Sequence, residues 1–255
     1  MPLPTFLIIG AQKSATRWLR LNLGSHPAVY TAPTELAFFN NRARFFSLGA
    51  EGYAAMFDDA TGKRIVGEAT PGYMMWRHHP DVVAERIQGV VPDVRLLALL
   101  RNPIDRAQSA MVHHMHTGKL PPDSRLIDLV TARRPRVDPL ALIAGGWYAA
   151  SLAPYFDRFG DRLLVLLHDD VLDDPAPVYA NAVRHIGAEP GFVPEGLGEL
   201  RHSRGSDRIG APTPTERRAL YKYFRDDVAR LAEMLDRDLS AWDPDRAASA
   251  ARESA

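Results

Sequence analysis

The chain has 255 residues, 46% hydrophobic and 24% charged, an ordinary globular composition and enough for one sizeable core. Its 31 lysine and arginine residues balance 31 acidic ones, which argues against broad electrostatic binding of nucleic acid or an anionic membrane while leaving room for a local basic pocket. There is no cysteine, so disulfides, thiol catalysis and cysteine-bound metals are excluded. No apolar run reaches the length of a membrane span, and no basic segment with a long apolar stretch precedes the first strand, so no signal peptide is expected.

"TFLIIG" (Thr5–Gly10) is a continuous apolar run of strand length, as in a parallel strand covered on both faces. "SATRWLRLNLGSHP" follows as a helix with Trp18, Leu19, Leu21 and Leu23 apolar, stopped by Gly24 and Pro27. "RIVGEATPGY" (Arg64–Tyr73) gives a short second strand ending in a turn, and "VRLLALLRNP" (Val94–Pro103) is the clearest buried strand. Pro103 suits the first turn of the next helix, "IDRAQSAMVHHMH", where its missing N–H costs nothing. Residues 117–146 are the least regular part, rich in proline and arginine, and read as a lid or insertion. "WYAASLAPYFDRFG" is an amphipathic helix containing Pro154, "DRLLVLLHDD" a third strong strand and "PAPVYANAVRHIG" another helix. "PTERRALYKYFRDDVARLAEML" reads as one long helix, with Leu220, Phe224, Val228, Leu231 and Leu235 on a single stripe. Alternating strands and helices predict an α/β fold: a P-loop-like three-layer sandwich with a central, mostly parallel sheet flanked by helices. One domain is expected over 1–246, with 247–255 a frayed tail.

The first strand, loop and helix have the form of a phosphate site. The standard nucleotide loop is GxxxxGK[ST]; here Lys13 follows Gly10 too closely for that spacing, and Ser14 and Thr16 come next. Backbone N–H groups at a helix N-terminus favour an anion, Lys13 adds a point charge, and the two hydroxyls add donors. From the loop alone, an anion site and a tight turn with a solvated lysine both stand. A second segment, "LLALLRNPIDRAQSAMVHH", puts Arg101 at the end of a buried strand and Ser109 two turns into the next helix. Ligands bind at the carboxyl ends of parallel strands, and an arginine there holds a phosphate through paired hydrogen bonds. The alternative for Arg101 is a salt bridge to a neighbouring helix, a structural role that suits Arg106 better.

These segments together resemble the sulfotransferases that use 3′-phosphoadenosine 5′-phosphosulfate (PAPS). "FLIIGAQKSATRWLRLNLGSHP" is similar to their 5′-phosphosulfate loop and "LLRNPIDRAQSAMVHHM" to their 3′-phosphate motif. "TELAFFN", "GEATPGY", "GWYAASLAPYFDRFG", "LLHDDVLDDPAPV" and "RHSRGSDR" extend the likeness to about Pro244, nearest the heparan sulfate sulfotransferases and their bacterial relatives. The resemblance implies PAPS as donor and 3′,5′-bisphosphoadenosine (PAP) as product, with no metal required. Lys13 then stabilises the bridging oxygen, and the loop residues Gln12, Lys13, Ser14, Ala15, Thr16 and Arg17 hold the 5′ end. Arg101 and Ser109 hold the 3′-phosphate, and Arg204 and Gly205 close over the nucleotide. Glu35, in "TELAFFN", matches the family's catalytic base; His113 matches a histidine of the related N-sulfotransferases. The spacing of "HHMH" raises a metal site, but His113 and His114 are adjacent on a helix and point apart, so a surface or acceptor-pocket role fits better.

The chain departs from the heparan sulfate branch at Ala69, where that branch carries a lysine, at Ala37, where a histidine often stands, and at Asn40, where some members carry an aspartate. Either Glu35 acts with different helpers, or the acceptor is not a sulfated polysaccharide. Arg133, Arg134 and Arg136 offer a local basic groove or a solvated loop. The expected acceptor is a carbohydrate, lipid or secondary metabolite, sulfated on a hydroxyl before an amine. The expected setting is bacterial and cytoplasmic, as a monomer or weak dimer with no nucleic-acid partner and no membrane span. A P-loop kinase or NTPase, or a non-catalytic nucleotide-binding relative, are the alternatives.

Overall fold

β1 (Phe6–Gly10) has all five residues buried, as its unbroken apolar run requires. The computed structural model describes residues 3–131, 138–199 and 209–247. Its other elements are α1 (Thr16–Ser25), β2 (Val29–Thr31), α2 (Arg42–Ala55), β3 (Ile65–Ala69), α3 (Pro80–Val90), β4 (Arg95–Leu100), α4 (Pro103–His116), α5 (Leu126–Thr131), α6 (Tyr148–Phe159), β5 (Leu163–Leu167), α7 (His168–Asp173), α8 (Pro175–His185), α9 (Pro214–Tyr221) and α10 (Arg225–Leu235). They group into two units, residues 1–100 with 152–201 and residues 101–151 with 202–255.

The first unit holds the sheet. Five strands run in the order β2-β3-β1-β4-β5, and every neighbouring pair is parallel. The expected α/β architecture is therefore present, and its sheet is wholly rather than mostly parallel. Phe6 and Ile8 of β1 and Leu97 and Leu99 of β4 pack with Trp18, Leu19 and Leu23 of α1 and with Val178, Tyr179 and Ala182 of α8. Trp18 also donates from Nε1 to the Leu197 carbonyl, 2.9 Å away, so this large amphipathic ring is buried with its polar atom satisfied. Gly24 does not stop α1 as expected. It stays inside the helix, where a Cβ would lie 2.5 Å from Thr31 Oγ1, and the chain turns extended only at His26, just before Pro27.

The second unit is helical over its described residues. Pro103 opens α4, and Asn102 caps it by accepting the Ile104 N–H at 3.0 Å. Arg106, the candidate for a salt bridge to a neighbouring helix, is fully buried and instead donates through NH2 to the backbone carbonyls of Ala141 and Leu142 at 2.8 and 2.5 Å. The Asp138 carboxylate accepts the backbone N–H groups of Leu142, Ile143 and Ala144 at 2.7–2.8 Å. Residues 138–144, the end of the segment read as a lid or insertion, are thus pinned to α4.

The long C-terminal helix is corrected to two, α9 and α10, interrupted over 222–224. Four members of the expected stripe, Leu220, Phe224, Val228 and Leu231, are buried, and the fifth, Leu235, is half-buried. The interruption coincides with contacts to a part of the chain distant in sequence. The Phe224 ring packs so closely over Gly146 that a Cβ there would lie 2.8 Å from it, and the Tyr223 carbonyl accepts from Trp147 Nε1 at 3.0 Å. The Tyr223 and Phe224 N–H groups bond three residues back, to Leu220 and Tyr221, tightening the turn.

Close packing at the sheet centre can be tested at Gly67 of β3, where a Cβ would lie 2.5 Å from the Phe6 ring. Gly67→Val is expected to destabilise the fold by about 1–3 kcal/mol through overpacking, measured by urea unfolding; an unchanged midpoint would contradict it.

Candidate active site

The chain leaves β1 through a strained loop. Ala11 N–H still bonds the Leu99 carbonyl at 2.9 Å; then Lys13 and Ala15, on either side of Ser14, take the left-handed conformation with φ of 70° and 65°. Such conformations cost about 1–3 kcal/mol each at non-glycine residues and concentrate at functional sites. α1 starts at Thr16 with Ala15 at the N-cap, no side-chain cap hydrogen bond and no acidic residue in its first turn. Helix starts ordinarily recruit Ser, Thr, Asp or Asn for this purpose, as Asn102 does for α4. The positive end of α1 therefore has no acidic residue from its own first turn to meet it. Beside it, Ser14 is completely buried and its Oγ has no hydrogen-bond partner among the described residues. A buried hydroxyl left unpaired costs about 1–3 kcal/mol. Together these features are ones that could cradle an anion.

Glu35 lies beyond β2 in the segment 32–40 of the same unit. Ala32 N–H bonds the Gly67 carbonyl at 2.9 Å, which ties the segment to the sheet. Glu35 is exposed, yet partial desolvation of its carboxyl raises its pKa from the ordinary value, opposed by the positive charges of Arg20 and, less strongly, Lys13. Arg20 comes from α1, where its NH1 donates to the Ala32 carbonyl at 3.1 Å. The structure thus brings Lys13, Arg20 and Glu35 into one electrostatic neighbourhood. Arg20 was not singled out from the sequence; its only signal was a basic residue on the helix after the loop. Ala69, where the resembling branch carries lysine, is buried at the end of β3.

The backbone of the Glu35 segment is held from below. Ala37 N–H donates to Thr70 Oγ1 and Phe38 N–H to the Tyr73 hydroxyl, both at 3.1 Å. Arg44 donates to the Leu36 carbonyl, and Arg86 NH1 to the Phe39 carbonyl at 2.7 Å. Phe38 and Phe39 are fully buried, with Phe38 stacked on Tyr53 at 4.2 Å between ring centroids.

Of the remaining expected residues, Gln12, Ser14, Ala15, Thr16 and Arg17 lie in or beside the loop, Thr16 and Ser14 buried and Arg17 exposed. Arg101, the residue after β4, belongs to the second unit, where its carbonyl accepts from the Tyr148 hydroxyl at 2.9 Å. Ser109 is half-buried on α4, and His113 is exposed near that helix's end, its ring 5.8 Å from that of His114. Among the described residues no group of three or more histidine or acidic side chains is placed to hold a metal ion. Arg204, Gly205 and the trio Arg133, Arg134 and Arg136 lie outside the described residues.

No family model matches the chain, but individual proteins do. The structure superposes with a TM-score of 0.78 on a sulfotransferase from Alicyclobacillus acidocaldarius, 30% identical, over 95% of this chain and 99% of that one. The heparan sulfate glucosamine 3-O-sulfotransferase 6 of Mus musculus is 28% identical over 68% of this chain and 49% of its own length. A mouse sulfotransferase, SULT7A1, solved in complex with PAP, shares the fold at 13% identity and a TM-score of 0.53, over 91% of this chain and 88% of that one. The chain belongs to the sulfotransferase family. It spans half or less of the curated relatives it matches first. These likenesses support sulfotransferase over kinase.

The unpaired hydroxyl at the cradle makes a stability prediction. Ser14→Ala removes a buried donor that has nothing to bond, so the ligand-free variant is expected to unfold at the same temperature as wild type or above it. A clear fall in Tm would show that Ser14 already has a structural partner.

Proposed function

We propose that the chain transfers the sulfuryl group of PAPS to a hydroxyl of a carbohydrate, lipid or small-molecule acceptor. The observation that carries this reading is the cradle after β1 in a chain of this family: an α1 N-terminus with neither a side-chain cap nor an acidic first turn, next to Lys13 and the buried Ser14 hydroxyl. The PAP bound to the mouse neighbour supports the choice of nucleotide.

In this reading the acceptor oxygen attacks the sulfur in line, and the bond from sulfur to the bridging phosphate oxygen breaks. Lys13 meets the charge that develops on that oxygen as PAP leaves. Gln12 and the backbone donors from Ser14 to Arg17, with the Thr16 hydroxyl, hold the 5′-phosphate, so the charge is met without a metal. Arg101 and Ser109 take the 3′-phosphate; Arg204 and Gly205 complete the nucleotide site. Glu35 accepts the acceptor's proton. Its raised pKa suits a base, because a stronger base draws the proton better once it is itself deprotonated. His113, exposed on α4, is the second candidate. Positioning and preorganised charge supply most of the acceleration in such a displacement. A cytoplasmic enzyme, monomeric or weakly dimeric, completes the reading.

Calorimetric titration is expected to show PAP binding at least about tenfold tighter than AMP, a difference of 1.4 kcal/mol, with a matching rise in Tm. Lys13→Ala is expected to abolish turnover. A preference for ATP with magnesium, or full activity of Lys13→Ala, would overturn the assignment.

The pH dependence is a separate test. Glu35 works deprotonated, so turnover should fall as pH drops through its pKa. Arg20 lowers that pKa; Arg20→Met should therefore move the acid limb of kcat to higher pH at saturating PAPS. An unmoved limb would take Arg20, or the base role of Glu35, out of the mechanism.

A further inference from the structure

Glu68, the fourth residue of β3, is a carboxylic acid with no exposure at all. Its Oε1 accepts from the Tyr53 hydroxyl at 3.2 Å and from the Tyr73 hydroxyl, and its Oε2 accepts from Thr70 Oγ1 at 2.6 Å. The Leu36 backbone N–H also bonds it. Burying an acid is costly unless its oxygens are met by donors, and here four donors converge on it. Two of them have a second task. Thr70 Oγ1 and the Tyr73 oxygen accept the N–H groups of Ala37 and Phe38. Three successive amides, 36 to 38, therefore end on Glu68, one directly and two through a hydroxyl.

A hydroxyl has one proton. An ionised carboxylate only accepts, so it draws both hydroxyl protons inward and leaves their lone pairs facing the two amides. We infer that Glu68 is a positioning residue for Glu35: it sets the direction of the Thr70 and Tyr73 hydroxyls and through them fixes the backbone that carries the base. This rests on the reading of Glu35 given above. It does not require Glu68 to touch substrate. Burial raises the Glu68 pKa, and the hydroxyl and amide donors oppose that rise; the direction of the hydroxyls rests on geometry, because each oxygen that accepts an amide N–H has its one proton left for Glu68.

Glu68→Gln keeps the shape and reverses one half of the group, because the amide NH2 donates. At least one hydroxyl must then turn its proton toward an amide N–H of the Glu35 segment. The expected result is a fall in kcat of up to about 100-fold, the size that small misplacements produce. PAP affinity should stay within about twofold, and hydrogen exchange should speed up in the peptide covering 33–41 but not across β1 and β4. Wild-type kcat and exchange would overturn the inference. So would a loss of PAP affinity and of sheet protection in step with kcat, the mark of a merely structural role. If Glu68→Gln fails to fold, Tyr73→Phe, which deletes one relay, is read in the same three ways. Glu35→Gln, run in parallel, separates the two claims. If it keeps full turnover, Glu35 is not the base and the functional reading fails, while the exchange result still decides whether Glu68 orders the segment.

Discussion

Parallel pairing of buried strands is the constraint on which the rest of this structure depends. Five parallel strands place all their carboxyl ends on one edge of the sheet, and the segments of the first unit proposed to carry the chemistry leave from that edge. The loop with Lys13 follows β1, the segment with Glu35 follows β2, and the turn with Thr70 and Tyr73 follows β3. Arg101 is the next residue after β4. Such a sheet needs apolar cover on both faces, which explains why its central strands are so uniformly aliphatic and why polar residues concentrate at their ends. Glu68 is the exception, a buried acid within a strand, supported by hydroxyls from its own turn and from α2.

Stability is spent locally at the first loop. Two left-handed non-glycine residues, an N-terminus without a side-chain cap and an unpaired buried hydroxyl all occur within residues 13–16. α4 shows the contrast: Asn102 caps it, Pro103 starts it and Asp105 sits in its first turn. A helix start of that kind is finished by its own side chains, whereas that of α1 has no side-chain cap and no acidic residue in its first turn. This is the usual pattern where recognition, rather than folding, has set the local geometry.

Much of this was legible in the sequence. The strands of Phe6–Gly10, Arg95–Leu100 and Leu163–Leu167 are continuous apolar runs, and the loop after β1 stands out by its small residues around Lys13, a pattern that by itself leaves an anion site and a tight turn both open. β2 escaped notice because its three residues are too few to show a pattern. α2 escaped because Gly49, at φ 60°, breaks its periodicity. The split between α9 and α10 was hidden for the opposite reason: the apolar stripe runs straight through it, and the contacts that coincide with it, at Gly146 and Trp147, are remote in the chain. Arg20 and Glu68 were missed because their roles depend on neighbours in space. Arg20 reads as one more basic helix residue, and Glu68 as one more acid before a turn.

The turn 70–74 touches both functional segments at once. Thr70 and Met74 donate their backbone N–H groups to the Ile8 and Ile9 carbonyls at 3.0 and 3.1 Å, and the Met74 side chain fills the space where Gly10 has none. The same turn presents Thr70 and Tyr73 to the amides of Ala37 and Phe38. Lys13 and Glu35 are thus registered against a common datum. A substitution that shifts the turn therefore acts on the loop after β1 and on the segment after β2 together. In the proposed displacement, where leaving group, sulfur and acceptor lie in line, one shared support of this kind would bear on both ends of that line at once.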